Sequence, residues 1–302
     1  MRCNIGCALA LFLAATPAEA QQDLGHKILG TLGSDAGIQI DPGLHVGDRV
    51  LVYGANTLKD RAGASVPVGL DLDAITNGIG VVGAIELSSL GMYLNVSLAI
   101  PLAHLSLTTD RPVVTIDLSG VGDIYVQPVK LGWRWRRAHL VAGYAFYAPT
   151  GHFDAGGKGG VGTGQWTSEF SAGGAVFFDE EHRVRLSMLG SCGVNSRKRG
   201  VDITKGATMQ VQGGLAVTLL QLFDIGVAGY ALWQVADDTG TALPNVLRGA
   251  RDRVFGLGPE LAVALPPIRG KLTVRYERDF GVRSRPAGEV LTLGLSLLAL
   301  KP

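Results

Sequence analysis

Cysteine is scarce: three in 302 residues, with Cys3 and Cys7 both inside the first ten positions. Arg2, the apolar stretch Ile5 to Ala15 and the Ala18-Glu19-Ala20 cleavage pattern mark residues 1–20 as a secretory signal peptide, which sets the expected start at Gln21. Cys192 is then alone, so the mature chain can make no internal disulfide, cysteine zinc cluster or redox pair. Long apolar runs are missing too. None beyond the signal peptide reaches the roughly 18 residues that a membrane helix needs. Charged residues make up only 18% and nearly cancel, at +1, which argues against a nucleic-acid partner. The six histidines (His26, His45, His104, His139, His152, His182) show no metal-ligand spacing. Neither a metal nor a cofactor is expected.

What is abundant is glycine, 43 residues, within a composition that is 47% hydrophobic. An exported, apolar chain without a membrane helix fits one architecture in a Gram-negative cell, the outer-membrane β-barrel. The test is alternation, because lipid-facing and lumen-facing residues must exchange at every step. In 288–299, Leu291, Leu293, Leu295 and Leu297 share one face, while Thr292, Gly294 and Ser296 share the other. In 270–281, Leu272, Val274, Tyr276 and Phe280 oppose Lys271, Thr273, Arg275, Glu277 and Asp279, with Arg278 out of phase. The same rule gives strands at 44–55, 79–88, 91–107, 122–136, 139–148, 165–178, 182–194, 206–217, 222–236 and 252–264. Gln127 and Pro128 break the phase in one of them, which predicts a bulge there.

The fold class is therefore all-β: a single transmembrane antiparallel up-and-down barrel of about 12 strands, spanning 44–302. Short connections (near 89–90, 137–138, 179–181, 218–221 and 265–269) alternate with long ones (56–78, 108–121, 149–164, 195–205 and 237–251). Periplasmic turns and extracellular loops alternate in this way. Residues 21–43 are weakly patterned and read either as a periplasmic segment or as a lumen plug.

Gly157, Gly159 and Gly162 satisfy GxGxxG, but the run leads into a strand, whereas a dinucleotide site needs a strand before it and a helix after it. A flexible extracellular loop is the better reading. A lipid hydrolase embedded in the barrel would need a histidine and a serine meeting at the bilayer edge. His139 and His182 fall at predicted periplasmic turns and His152 in a loop, and no G-x-S-x-G occurs. No catalytic residue is assigned.

The inward faces collect ionisable groups of both signs: Lys130, Arg134, Glu169, Arg183, Arg185, Glu260, Lys271, Arg275, Glu277 and Asp279. In such a setting charges are paired or solvated. They read as a salt-bridge network filling the barrel or as a polar permeation path. Trp133 and Trp135 fit an aromatic girdle at the periplasmic face, with Tyr144 and Phe146 nearing the outer one.

The segments "GVGDIYVQPVKLGW" (120–133), "VAGYAFYAPTGHF" (141–153), "ADDTG" (236–240), "GARDRVFGLGPEL" (249–261) and "FGVRSRPAGE" (280–289) resemble the phenol meta-degradation pathway family of outer-membrane proteins. The resemblance runs from about Gly25 to Leu300. It implies a barrel that helps small hydrophobic or aromatic compounds cross the outer membrane, with lipid, such a solute and the barrel assembly machinery as partners. The ending Leu300-Lys301-Pro302 departs from the terminal aromatic residue that many such barrels present to that machinery. The alternatives are a structural or adhesive barrel whose loops 149–164 and 237–251 bind something outside and, further off, the lipid hydrolase.

Overall fold

The structure, a computed structural model, describes residues 26, 29–155, 159–245 and 247–301. Residues 1–20, read above as a signal peptide, lie outside the described residues. The chain forms β1 (Gly43–Lys59), β2 (Ser65–Val66), β3 (Asp71–Leu87), β4 (Met92–Asp110), β5 (Val113–Val121), β6 (Ile124–Trp135) and β7 (Ala138–Ala148). Then come β8 (Thr167–Phe177), β9 (Val184–Asn195), β10 (Thr208–Leu219), β11 (Phe223–Gln234), β12 (Arg253–Leu265), β13 (Gly270–Arg283) and β14 (Pro286–Leu300). Every pairing is antiparallel between neighbours, and β14 closes on β1, from Leu44 opposite Leu300 to Leu58 opposite Pro286. β2 only folds back on the end of β1, and β5 covers the outer part of β4 where β6 covers the inner part. Twelve strands therefore complete the closed wall. Closure leaves no sheet edge in the hydrocarbon layer, where an unpaired backbone group would be costly.

The outward belt is apolar at every second residue. Leu186 and Met188, Leu257 and Leu261, and Leu291, Leu293 and Leu295 all stand exposed, as lipid contact requires. Two stretches depart from the expected boundaries. The second strand starts at Asp71 rather than 79, and 108–121 is no loop: β4 runs on to Asp110 and returns as β5 after Arg111-Pro112. At 17 and 19 residues, β3 and β4 exceed the roughly 9–11 that span a bilayer. Their outer ends stand in water, so polar residues such as Asp71 and Asp73 face outward there and the lipid rule no longer applies. Ala55, Val68, Leu70 and Leu72 form a small core beneath this extension. The expected bulge is present, with the β6–β7 register shifting between Val126 and Val129. One short turn is unusual: Leu220 and Gln221 both take positive φ, 52° and 57°, between β10 and β11.

Residues 29–41 lie inside the barrel. A single 3-10 turn, Gly33–Asp35, packs against β9, β10 and β11. Leu29 joins Tyr230, Leu232, Val254 and Val282 in one apolar cluster, while Ala36 joins Val141 and Leu189 in another. Two glycines make room. A Cβ on Gly132 of β6 would strike the Gln39 side chain, and one on Gly33, where φ is +52°, would strike Arg275 and Glu260.

Candidate functional site: an occupied lumen

The inward charges meet the internal segment in three tiers. In the middle tier, Arg275 is 2% exposed. Its Nη1 donates to Glu260 Oε2 at 2.8 Å and its Nε to Glu277 Oε2 at 3.0 Å. Its Nη2 also donates to the Gly30 carbonyl, while Glu260 accepts from the Ser34 hydroxyl and, at 3.2 Å, from the Ser34 N–H. The three-residue charge cluster therefore holds the internal segment by its backbone. Beside it, Lys271 bridges Asp35 and Asp224 at 2.8 and 2.9 Å, and Arg185 reaches Asp224 at 2.8 Å and Asp35 at 3.4 Å. Asp279 accepts from Tyr230 Oη at 2.6 Å and Tyr53 Oη at 3.1 Å.

At the short-turn end, the amides of Gln39 and Asn95 bond reciprocally at 2.9 Å. Arg134 donates to the Gln39 carbonyl at 2.6 Å, pairs with Asp41 at 2.8 Å and lies over the Tyr93 ring. Lys130 shares that inward face with Gly132 and Arg134. At the opposite end, His26 Nε2 stands 2.6 Å from Asp123 Oδ2 and Nδ1 stands 2.7 Å from Thr167 Oγ1, with the ring stacked on Tyr147. Asp123 also accepts from the Gly151 N–H at 2.9 Å and from the Thr163 N–H and hydroxyl, both at 2.8 Å. Burial alone would raise its carboxyl pKa, but these hydrogen bonds from His26, Thr163 and Gly151 outweigh burial and hold it below the usual carboxylate range.

Asp123, His26 and Thr167 align like an acid, a base and a nucleophile, but the proton runs the wrong way. Asn195 Nδ2 donates to the carbonyls of Lys205 and Gly206, which turns its Oδ1 toward Thr167. The Thr167 hydroxyl gives its proton to that oxygen at 2.6 Å and can only accept from His26. A nucleophile would donate to the histidine. At the other end, His139 and His182 pack on Phe177, and His182 Nε2 meets the Arg136 carbonyl. Among the described residues no three His, Cys, Asp or Glu are placed to hold a metal.

Of the sequence-predicted lumen residues, Arg134, Glu169, Arg185, Glu260, Lys271, Arg275, Glu277 and Asp279 face the interior with Lys130. Arg183 does not. It lies in the turn before β9, pairs with Asp179 and Glu181 at 3.2 and 2.7 Å and is exposed. The left-handed backbone at His182 (φ 59°), two residues before the strand begins at Val184, ends the alternation there. Trp133 and Trp135 face outward beside the 136–137 turn. At the other end Tyr144 packs on Phe170 at 5.2 Å and Phe146 on Trp166 at 5.8 Å. The out-of-phase Arg278 faces outward and meets its cross-strand partner Glu289 at 3.7 Å. Sequence reasoning missed Ser34, Asp35, Gln39, Asn95, Asp123 and Asp224. For the segment 29–41 no periodic signal exists, since it is irregular backbone.

Between the internal segment and the long-loop end lies a small cavity of about 40 Å³, room for a few waters. Its lining comes from the outer ends of the strands: Tyr147, Thr167, Glu169, Gln210, Leu232 and Arg285 among others.

A closed twelve-stranded wall with an apolar belt, a polar interior and short turns alternating with long loops defines a Gram-negative outer-membrane β-barrel. The chain belongs to the family described as "Putative MetA-pathway of phenol degradation", whose model matches residues 55–294. Its structure is similar to that of the COG4313 outer membrane channel from Pseudomonas putida F1, with a TM-score of 0.75 at 15% identity over 86% of this chain and 96% of that one. A more distant likeness is to the transport unit of the autotransporter AIDA-I from Escherichia coli, with a TM-score of 0.53 at 10% identity over 98% of this chain and 95% of that one. At these identities both show the fold alone. No curated protein matches by sequence.

Proposed function

We propose that this protein is an outer-membrane channel for small hydrophobic or aromatic compounds, serving a cell that degrades them, with residues 29–41 acting as an internal plug. The observation that carries this reading is a closed barrel whose lumen holds its own segment by polar tethers, Ser34 to Glu260, Asp35 to Lys271 and the Gln39 carbonyl to Arg134. Membership of a phenol-degradation family supports the substrate class, and the likeness to a protein described as a channel agrees with it. Passage requires the plug to shift, and the plug is held mainly by polar contacts that can be exchanged for water. Weak binding in the lumen then permits exit on the far side.

The chemistry assigned to the chain is passage without turnover, so no residue is given a catalytic role. The test is uptake. Liposomes containing the purified protein should admit a neutral aromatic solute faster than protein-free liposomes, and deleting the gene should slow growth on that compound. Unchanged uptake together with unchanged growth defeats the proposal. The protruding sheet of β3, β4 and β5 favours a second reading, an adhesive barrel. Shortening that hairpin would then abolish surface binding without touching uptake.

A further inference from the structure

On the outer surface of the barrel two arginines stand directly opposite one another. Arg253 opens β12, Arg283 closes β13, and the two are cross-strand partners. Their neighbours Val254 and Val282 face the lumen, in the apolar cluster around Leu29, so both arginine side chains face away from it. Trp233 of β11 is the other cross-strand partner of Arg253 and extends the same row. The next row toward the bilayer is aromatic: Phe255 packs on Trp233 at 5.5 Å and on Phe280 at 5.6 Å, and Phe280 is 53% exposed. The Arg253 guanidinium lies over the Phe255 ring at 5.4 Å. The pair therefore sits just above the outer aromatic girdle, at the long-loop end of the barrel, where lipid headgroups begin.

Like charges directly opposed weaken a strand pair, and the carboxylates on neighbouring segments are committed elsewhere. Asp252 pairs with Lys205, Asp237 with Arg251 and Glu289 with Arg278. Asp60, whose carbonyl accepts the Ser284 N–H, turns its carboxylate onto the N–H groups of Ala62 and Ala64. The exterior arginines Arg251 and Arg278 thus carry their own carboxylates, while among the described residues none pairs with Arg253 or Arg283. Arg253 makes one hydrogen bond, from Nε to the Gly281 carbonyl at 2.9 Å, which leaves its Nη donors for another acceptor. Guanidinium forks match the oxygens of a phosphate. We infer that Arg253 and Arg283 clamp a phosphate of the phosphorylated glycolipid of the outer leaflet, whose acyl chains lie along Phe255 and Phe280. A free phosphate gains nothing from the aromatic row, whereas a lipid engages both rows at once. The site goes beyond the transport reading and is independent of it.

Native mass spectrometry of the full-length mature protein in detergent tests the clamp with three probes: bisphosphorylated lipid A, the same lipid stripped of its phosphates, and inorganic phosphate. The phosphorylated lipid should bind about tenfold more tightly, or better, than either of the others. Arg253→Gln and Arg283→Gln should each weaken it about fivefold, and together about thirtyfold. Arg251→Gln, which removes an arginine already paired with Asp237, should change it less than about twofold. Stability gives a second readout, with a change of sign. In lipid-free micelles the double variant should resist urea as well as wild type or better, because the opposed charges are gone. With the phosphorylated lipid added, wild type should gain stability and the double variant should not. The heat-dependent shift of the barrel on electrophoresis verifies that each variant is folded. Should the double glutamine variant not fold, Arg253→Lys with Arg283→Lys carries the comparison, since it keeps the charges, loses the forks and should bind less tightly than wild type. Four results overturn the inference: equal binding of the lipid with and without its phosphates, inorganic phosphate binding as tightly as the lipid, wild-type affinity in the double variant, or a loss in Arg251→Gln as large as in Arg253→Gln.

Discussion

Replacing Arg275 by methionine should be the most damaging single change in the lumen. Arg275 is 2% exposed, and Glu277 is fully enclosed. The guanidinium makes charged hydrogen bonds of 2.8 Å to Glu260 and 3.0 Å to Glu277 and holds the Gly30 carbonyl. Two charge-assisted bonds at about 1.5–3 kcal/mol each give a loss of about 3–6 kcal/mol. The direct expectation for stripping one partner from a buried ion pair is about 3–5 kcal/mol. The two routes agree, and neither needs a discount for solvent screening at this depth. Urea unfolding in detergent micelles, followed by the fluorescence of Trp133, Trp135, Trp166 and Trp233, gives the number. Adding Glu277→Gln to Arg275→Met should recover part of the loss, since it removes one stranded carboxylate. A loss under about 1 kcal/mol, or no recovery in the double variant, would show that the cluster is solvated rather than buried and would refute the reasoning.

Two further outcomes are expected. Replacing Leu220-Gln221 by Asn-Gly should stabilise the barrel by about 1–2 kcal/mol in the same unfolding assay, because both are left-handed and form the centre of a turn closed by the Leu222 N–H on the Leu219 carbonyl, positions that Asn and Gly suit; no gain would mean the turn is not strained by its side chains. Asp123 titrates below the usual carboxylate value of 3.8 in the folded protein, so its contribution is present above that pH and fades as pH falls through the folded value. The stability difference between wild type and Asp123→Asn should therefore be full at pH 6 and shrink as the pH is taken to 3 and below, and a difference unchanged at low pH would contradict the stabilising role given to the ionised Asp123 carboxylate.

The parts of this fold visible in the sequence are those the bilayer disciplines. Leu291, Leu293 and Leu295 must face lipid, so Thr292 and its neighbours must face inward, and the inward set from Arg185 to Asp279 follows from counting by twos. Where the bilayer ends, so does the signal. Residues 71–78 continue a strand in water, where Asp71 can face outward at no cost, and Arg183 loses its phase at a turn. The internal segment is illegible for a different reason. Ser34 meets Glu260 and Gln39 meets Asn95 across 226 and 56 positions, through irregular backbone that leaves no period to read.

Uptake through a tethered plug tests the central claim most directly. A Cβ built on Gly214 lies 3.1 Å from the Ser34 Cβ and 2.7 Å from the Val227 carbonyl, tighter than the roughly 3.5–4.5 Å of a disulfide. A bridge between the two positions therefore needs β10 to give by a few tenths of an ångström, and its formation is verified by thiol titration before uptake is read. Ser34→Cys with Gly214→Cys, in a Cys192→Ser background, should lock the internal segment to β10 when oxidised. In liposomes the reduced protein should admit a neutral aromatic solute and the oxidised protein should fall to the protein-free rate. Equal uptake in both states, or uptake in neither, would contradict passage through a lumen gated by its own N-terminal segment.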